Sequence, residues 1–218
     1  MAGTIVLLSG PSSAGKTSIA RELQALLDEP YLLFSMDHVM KMLPARYVSK
    51  IPGQETPGAA GLWCDVGECD GARALVTRAG PVANGAIRAI HRGIAAMAGT
   101  GMGVIVDDVL LDPGWLDDYL DALATFSVFF VTVRCSVDEL QRREHARGDR
   151  PAGNALGDVV SLHDPGIHDL ELDSGVLSAR QCAARIAERL ATPPHAFGRL
   201  RARRAAALTR PRTRSARG

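Results

Sequence analysis

The sequence predicts an α/β domain of three layers, in which a central parallel β-sheet lies between two layers of helices. Short apolar runs alternate along the chain with segments whose apolar residues recur at helical spacing. The chain has 218 residues, which suits one well-buried domain, and 46% of them are hydrophobic, as in globular proteins. Strands and helices that alternate in this way form parallel sheets with right-handed crossovers. We expect this domain to span residues 1–194.

The first predicted unit is a strand, a glycine-rich turn and a helix. Residues 4–8 are apolar and bounded by glycines, a pattern typical of a strand buried on both faces. From Gly15 onward, apolar residues recur at helical spacing until Pro30 ends the helix. A second apolar run, residues 31–34, predicts another strand, which a short helix ending near Pro44 follows.

Residues 48–85 interrupt this alternation. They are rich in glycine and proline and show only weak strand signals, near residues 62–66 and 72–77. We therefore expect an irregular insertion that faces the substrate. The alternation then resumes with helix 81–98, strand 103–106, helix 113–124, strand 127–133, helix 136–147, strand 168–172 and helix 178–190.

A motif for binding nucleoside triphosphates lies between the first strand and the first helix. It has the pattern G-x-x-x-x-G-K-[ST] and comprises Gly10, Pro11, Ser12, Ser13, Ala14, Gly15, Lys16 and Thr17. In such a P-loop the backbone N–H groups surround the phosphates, the lysine places a positive charge at the transferred phosphoryl group, and the threonine hydroxyl binds Mg²⁺. A chance glycine turn is the alternative, but the flanking strand and helix disfavour it. The sequence therefore predicts a P-loop NTPase or kinase fold that binds ATP and Mg²⁺.

Three aspartates follow predicted strands at the edge where parallel sheets bind their ligands. Asp37 could accept the proton of a substrate hydroxyl as that oxygen attacks the γ-phosphorus, or it could only cap the helix that follows. Asp107 and Asp108 end an apolar strand, as in a Walker B element that holds Mg²⁺, although they too could cap a helix. We expect Asp107 to lie on the metal side, together with Thr17.

Four arginines lie near the end of the helix 136–147 and in the loop that follows it. A mobile lid here could place guanidinium groups on ATP, because the planar donor fork of arginine matches phosphate oxygens. We expect this catalytic role for Arg147 and Arg150, and a solvated helix face for Arg142 and Arg143.

The histidine, cysteine and tryptophan residues do not predict a metal site. The six histidines have no clear metal-ligand spacing, and the four cysteines are too scattered for a zinc site or a disulfide framework. Trp63 either lines the acceptor pocket or anchors a loop. No apolar stretch is long enough to span a bilayer, and no basic segment precedes the first apolar run. We expect a cytoplasmic protein that does not bind membranes.

The last 24 residues, 195–218, contain eight arginines and no acidic residue. Without them the chain has 17 basic and 24 acidic residues, so the folded part is acidic although the formal net charge is +1. Phe197 is the one aromatic residue of this tail, which therefore has no stacking platform for nucleic acid. We expect a disordered, arginine-rich extension with no specific nucleic-acid partner.

Several segments together resemble the chloramphenicol phosphotransferases. They are the P-loop and residues 34–37, 104–109, 133–135 and 144–153. The resemblance implies a P-loop kinase fold and transfer of the γ-phosphate of ATP to a hydroxyl of chloramphenicol. It also implies that Asp37 is the catalytic aspartate and that Arg147 and Arg150 are lid arginines. Residues 48–85, where we expect acceptor recognition, follow the family poorly.

Two alternatives remain open at this point. The same fold could phosphorylate another acceptor, such as a nucleotide sugar or a small polyol, as in the zeta toxins and the shikimate or gluconate kinases. The chain could also be a non-catalytic regulator whose P-loop senses ATP while the arginine tail docks on a partner. A GTPase is disfavoured, because no N-K-x-D segment is present to read guanine. The sequence favours a phosphotransferase that acts on a small hydroxylated molecule.

Overall fold

A computed structural model describes residues 2–49, 51–148 and 151–209. In chain order its elements are β1 (Ile5–Ser9), α1 (Lys16–Leu26), β2 (Tyr31–Ser35), α2 (Asp37–Met42), β3 (Leu62–Cys69), β4 (Ala72–Ala79), α3 (Pro81–Gly99), β5 (Gly103–Asp108), α4 (Pro113–Ala122), β6 (Val128–Arg134), α5 (Val137–Arg147), α6 (Asn154–Ser161), β7 (Leu170–Asp173), α7 (Ala179–Arg189) and α8 (Ala196–Thr209). Two short 3-10 helices, Ala45–Tyr47 and Pro57–Ala59, lie between α2 and β3. None of the helices in the described ranges has the length and hydropathy that a bilayer crossing requires.

Five parallel strands form the central sheet in the order β2-β5-β1-β6-β7. β1 pairs with β5 on one side and with β6 on the other, so it lies in the middle. β2 extends the sheet beyond β5, and β7 extends it beyond β6. Because all five strands run in the same direction, their carboxyl ends meet at one edge of the sheet, where the P-loop follows β1. The predicted three-layer parallel architecture is confirmed.

Alternate residues of β1 enter two separate cores, one on each face of the sheet. Ile5 and Leu7 belong to the core that contains residues of α3, α4 and α8, whereas Val6 and Leu8 belong to the core with α1, α5 and α7. All four side chains are fully buried. Burial on both faces explains why the whole strand is apolar. Burying each such side chain stabilises the fold by about 1.5–3 kcal/mol.

Residues 48–85 are more regular than the sequence analysis indicated. β3 and β4 form an antiparallel hairpin, which is a two-stranded sheet separate from the central one. Asp70 and Gly71 connect the strands with φ angles of 52° and 77°, as in a type I′ turn. Asp-Gly is a strong hairpin signal in a sequence, but most residues of the two strands are exposed or only partly buried, so the alternation of apolar and polar residues is weak.

The sequence analysis did not predict α6, which packs against β4. Its Gly157 lies so close to that strand that a Cβ atom would be 1.9 Å from the carbonyl oxygen of Leu75. Gly153, the N-cap residue, has a φ of 102°, and its carbonyl oxygen accepts the N–H of Leu75 at 2.9 Å. The glycines in this segment favour a loop. Because a helix forms here nevertheless, we attribute it to the tertiary contact with β4.

The C-terminal segment forms a helix, which corrects the expectation that a disordered tail begins at residue 195. Ala196, Phe197 and Leu200 of α8 are buried in the same core as Ile5. The ring of Phe197 meets that of Phe130 edge to face, with 6.0 Å between the ring centroids. α8 therefore belongs to the domain that was expected to end at residue 194. Residues 210–218 of the predicted tail lie outside the described part of the chain.

Two arginines of α8 hold the helix on the domain. Arg203 donates a hydrogen bond to the carbonyl oxygen of Pro165 at 2.7 Å. Arg204 donates to the carbonyl oxygen of Asp117 at 2.9 Å and pairs with the carboxylate of Asp121, both in α4. The composition of the tail predicted that its arginines are solvated. It could not show these partners, because they lie far from the tail in the sequence.

Candidate active site

The P-loop connects β1 to α1 at the carboxyl edge of the sheet. Gly15, with a φ of 84°, is the N-cap residue of α1 and has no side chain to cap the first turn. Within residues 2–49 as described, that first turn also contains no acidic residue. Its N–H groups are therefore suited to an external anion, which the positive end of the helix dipole also favours.

Lys16 is held almost completely buried in the P-loop, with 5% of its surface exposed. Its ammonium group donates hydrogen bonds to the carbonyl oxygens of Gly10 at 2.8 Å and Pro11 at 2.9 Å. The same nitrogen lies 3.7 Å from Oδ1 of Asp107. A buried ammonium group is costly unless hydrogen bonds and an opposite charge satisfy it. The carbonyl groups and Asp107 meet that requirement and position the lysine at the loop.

Thr17 and Asp107 bring two oxygen ligands together beside Lys16. The Thr17 hydroxyl donates a hydrogen bond to Oδ2 of Asp107, so the hydroxyl and carboxylate oxygens converge on one point. The described residues contain no cluster of three or more His, Cys, Asp or Glu side chains that could form a metal site by themselves. A cation at this point would also need phosphate and water oxygens, which is how Mg²⁺ is usually bound in nucleotide sites.

Asp108 has a different environment from its neighbour. It is fully buried, its Oδ2 accepts the hydroxyl of Tyr119 at 2.8 Å, and its Oδ1 accepts the N–H of Val109 at 2.6 Å. Burial raises the pKa of Asp108 above its ordinary value. The Tyr119 ring stacks on His91, with 3.6 Å between the ring centroids. Asp108 therefore holds the end of β5 in place, while Asp107 contacts the P-loop.

Asp37 lies at the junction of two cavities. The first, which we call the phosphate cavity, is lined by Ser12, Ser13, Gly15, Lys16, Thr17, Ser18, Ser35, Met36, Asp37, Asp107, Val109 and Arg147. The second, which we call the hairpin cavity, is lined by Ser12, Met36, Asp37, Leu62, Thr77, Ile87, Val109, Leu111, Trp115, Asn154 and Asp158. Asp37 is also the first residue of α2, where a negative charge stabilises the helix. Its roles as a base and as a helix cap, which position in the sequence left open, both stay predictions.

The hairpin and α6 supply part of the wall of the hairpin cavity. Leu62 of β3 and Thr77 of β4 line it, so the insertion reaches the site. Among the described residues, the tryptophan in this wall is Trp115, whose indole N–H donates to Oδ1 of Asn84 at 2.8 Å. Trp63 instead donates to Oδ1 of Asp65, two residues further along the same strand, at 3.0 Å.

Arg142 and Arg143 differ, although they are adjacent in α5. Arg142 is exposed and pairs with Glu139 at 2.7 Å, as expected for a solvated helix face. Arg143 also pairs with Glu139, but it is partly buried and donates to the carbonyl oxygen of Ser174 at 2.7 Å. Both arginines line a third cavity beside the P-loop. The prediction of a solvated side chain is therefore wrong for Arg143. Hydrogen bonds from Arg142 and then Arg143 lower the pKa of Glu139 to about 2.

Arg147 is the last residue of α5 and lines both the phosphate cavity and the third cavity. The structure thus places it beside the P-loop, and its expected catalytic role stays a prediction. Arg150 lies outside the described residues, and its expected role stays a prediction.

A known protein family matches most of the chain. The sequence profile of the family described as "Chloramphenicol phosphotransferase-like protein" matches residues 3–191. The chain belongs to this family. Two relatives, from two strains of Mycobacterium tuberculosis and both named "Putative O-phosphotransferase", are 34% identical over 206 residues. The alignment covers 92% of this chain and 89% of each relative.

Solved structures, two kinases among them, share the fold of this chain. The APS kinase of Mycobacterium tuberculosis, in complex with AMPPNP and APS, has a TM-score of 0.61 at 15% identity and covers 88% of this chain and 99% of its own. A gluconokinase from Sinorhizobium meliloti has a TM-score of 0.54 at 19% identity, covering 86% and 95%. The tunicamycin resistance protein of Deinococcus radiodurans has a TM-score of 0.56 at 15% identity, covering 88% and 98%. At these identities the likeness shows the fold alone.

Three residues that line the cavities have no sequence motif that predicts this position. Arg143 was expected on a solvated helix face, because its partner Ser174 follows β7, far along the chain. Asn154 and Asp158 lie on α6, in a segment whose glycines indicated a loop. A lone polar residue in such a segment gives no signal of its own, so the structure was needed to find these positions.

Proposed function

We propose that this chain transfers the γ-phosphoryl group of ATP to a hydroxyl group of chloramphenicol or a similar small acceptor. The observation that carries the proposal is the position of Asp37, which lines both the phosphate cavity and the hairpin cavity. Ser12, Met36 and Val109 are shared by the two cavities in the same way. A hydroxyl group in the hairpin cavity would therefore meet Asp37 on its path to a triphosphate in the P-loop.

The nucleotide is proposed to occupy the phosphate cavity and the third cavity. The N–H groups at the start of α1 and the ammonium group of Lys16 suit the phosphates. Arg143 and Ser174 line the third cavity next to Gly15, and the planar guanidinium group of Arg143 is suited to stacking on a base. Arg147 lies between these regions and would contact phosphate oxygens.

Thr17 and Asp107 fit the Mg²⁺ ion that accompanies ATP in kinases. A hydroxyl and one carboxylate, already in contact with each other, are ligands that Mg²⁺ accepts when phosphates and waters complete its shell. When bound, Mg²⁺ would neutralise charge on the phosphate oxygens during transfer.

Asp37 is proposed to act as the base. It accepts the proton of the acceptor hydroxyl while that oxygen forms a bond to the γ-phosphorus, and the bond from phosphorus to the leaving ADP oxygen breaks. Lys16 and Arg147 stabilise the negative charge on the transferred group. Asp37 lies at an exposed site, so its proton can pass to water after the product leaves.

The test compares the wild type with Asp37→Asn, which keeps the size of the side chain and removes the base. With Mg²⁺, ATP and a panel of hydroxylated acceptors that includes chloramphenicol, we expect phosphorylated product by mass spectrometry from the wild type. The variant should be slower by about 100-fold or more, with a KM for ATP within about threefold because Asp37 is not a phosphate ligand. Asp117→Asn, on the surface of α4, serves as the control. The proposal fails if no acceptor makes the wild type consume ATP faster than Asp37→Asn.

A further inference from the structure

Glu144 is a buried carboxylate that the proposed reaction does not use. It lies on α5, and 6% of its surface is exposed. Its Oε2 accepts the backbone N–H of Gly153 at 2.8 Å, and its Oε1 accepts that of Ala155 at 2.7 Å. We propose that Glu144 connects α5 to α6 and in this way positions Arg147 at the phosphates of the nucleotide. The inference rests on the proposed function, which assigns Arg147 to those phosphates.

The start of α6 takes its capping group from another helix. Gly153 is the N-cap residue of α6 and, as a glycine, has no side chain that could cap the first turn. The first N–H groups of a helix find no partner within that helix. The carboxylate of Glu144 accepts two of them, a task that a capping box divides between two side chains. Its negative charge is also favourable at the positive end of the helix dipole.

α6 is itself held by the hairpin and by the P-loop. The carbonyl oxygen of Gly153 accepts the N–H of Leu75 at 2.9 Å. A Cβ atom at Gly153 would lie 2.7 Å from the carbonyl oxygen of Arg73, so the hairpin backbone leaves no room for a side chain there. Further along α6, Oδ2 of Asp158 accepts the backbone N–H of Ser12 at 2.9 Å. A helix that is joined to α6 is therefore also fixed relative to the P-loop.

Glu144 and Arg147 lie about one turn apart at the end of α5. Arg147 is the last residue of the helix and lines both the phosphate cavity and the third cavity. Helix ends fray, and the two hydrogen bonds to α6 hold this one. The contacts form a ring, from the P-loop to α6, from α6 to α5 through Glu144, and from α5 back to the phosphate cavity through Arg147. Loss of the Glu144 carboxylate would loosen the last turn of α5 and weaken the contact of Arg147 with the phosphates.

The connection between the two helices is tested by amide hydrogen exchange, measured by NMR. Glu144→Gln keeps the size of the side chain, but its amide NH₂ would face one of the two N–H groups, so one hydrogen bond is lost. We expect the amides of Gly153 and Ala155 to exchange faster by about tenfold or more. Asp138→Asn, the same kind of change at an exposed position in the first turn of α5, is the matched control and should exchange as the wild type does. Unchanged exchange in Glu144→Gln overturns the connection.

The positioning of Arg147 has a separate measurement, which needs no acceptor. With Mg²⁺, the affinity for a non-hydrolysable ATP analogue should fall by about threefold or more in Glu144→Gln and in Arg147→Ala. Because Glu144 acts through Arg147, the double variant should bind the analogue within about twofold of Arg147→Ala alone. A Glu144 that only stabilised the fold would lower the Tm and leave the affinity unchanged. Unchanged affinity in either single variant, or losses that multiply in the double variant, overturns the positioning role.

A second variant keeps the test decisive if Glu144→Gln does not fold. Glu144→Asp keeps the charge but is one methylene shorter, so its oxygens cannot reach both N–H groups at their present positions. The same coupling to Arg147→Ala is expected. If the wild type binds the analogue but phosphorylates none of the hydroxylated acceptors, the proposed function fails while the binding measurements still decide the positioning role. A wild type that does not bind the analogue overturns both.

Discussion

Replacing Gly157 by alanine tests whether the contact between α6 and β4 holds the site together. The added Cβ atom would lie 1.9 Å from the carbonyl oxygen of Leu75 and 2.4 Å from its carbonyl carbon, whereas real Cβ atoms essentially never approach closer than 3.0 Å. The oxygen contact must therefore lengthen by about 1 Å, and both partners are backbone. Overpacking of this kind costs about 1–3 kcal/mol. In a helix without such a contact, replacing glycine by alanine would raise the free energy of unfolding by up to about 1 kcal/mol. The steric clash with β4 is the larger effect, so we expect Gly157→Ala to destabilise the protein.

The measurement is the free energy of unfolding from chemical denaturation. For Gly157→Ala we expect a loss of about 2 kcal/mol, or a Tm lower by roughly 4–8 °C for a chain of this size. Gly93→Ala is the matched control, because it lies within α3 and a Cβ atom there would meet nothing within 4 Å. It should be neutral or more stable by up to about 1 kcal/mol. A Gly157→Ala variant as stable as Gly93→Ala would refute the steric argument.

The remaining predictions concern α8 and the histidine behind β5. Phe197 is 3% exposed, so Phe197→Ala should lower the free energy of unfolding by about 3 kcal/mol. Leu208 is 81% exposed, so the control Leu208→Ala should change it by less than about 0.5 kcal/mol. Equal effects of the two substitutions would show that α8 does not contribute to the core. Burial lowers the pKa of His91 below 6.5, although Asp108 and Asp118 act in the opposite direction. Below that pH the unfolded chain binds a proton that the folded chain does not, so His91 stabilises the fold at higher pH and this stabilisation is lost as the pH falls toward the lowered pKa. When the pH is lowered from about 7.5 to about 5.5, the free energy of unfolding should fall less in His91→Gln than in the wild type. An equal fall in the two proteins would contradict the role of His91.

The central sheet and the P-loop could be predicted because their signals are local. β1 is apolar at every position, since both of its faces are buried, and the glycines and the lysine of the loop occur at fixed spacing. Pro81 marked the start of α3 for an equally local reason. Such signals depend on the conformation of a few consecutive residues and need no information about the rest of the fold.

The hairpin, α6 and α8 could not be predicted with the same certainty because distant contacts determine them. Gly157 weakens the intrinsic preference of α6 for a helix, yet the backbone of β4 admits no larger residue there. α8 buries only Ala196, Phe197 and Leu200, and its arginines find their partners in α4 and at Pro165. A composition rich in arginine and alanine describes such a helix and a disordered tail equally well.

The candidate site shows the same division. Lys16, Thr17 and Asp107 were predicted from motifs, and the structure brings them into contact. Asp37 lines both cavities, and the catalytic role that the resemblance implied for it stays a prediction. Arg143 and Asp158 had no motif, because each acts through a residue far away in the chain, Ser174 and Ser12 respectively.

The hairpin of β3 and β4 is a sheet of its own, with no strand paired to the five that carry the nucleotide machinery. Substitutions on its inner side can therefore remodel the surface offered to an acceptor without disturbing the backbone pairing on which the P-loop depends. This separation makes residues 62–79 the natural segment to vary in a search for altered acceptor recognition, provided that the backbone of β4 at Leu75, against which α6 packs, is kept.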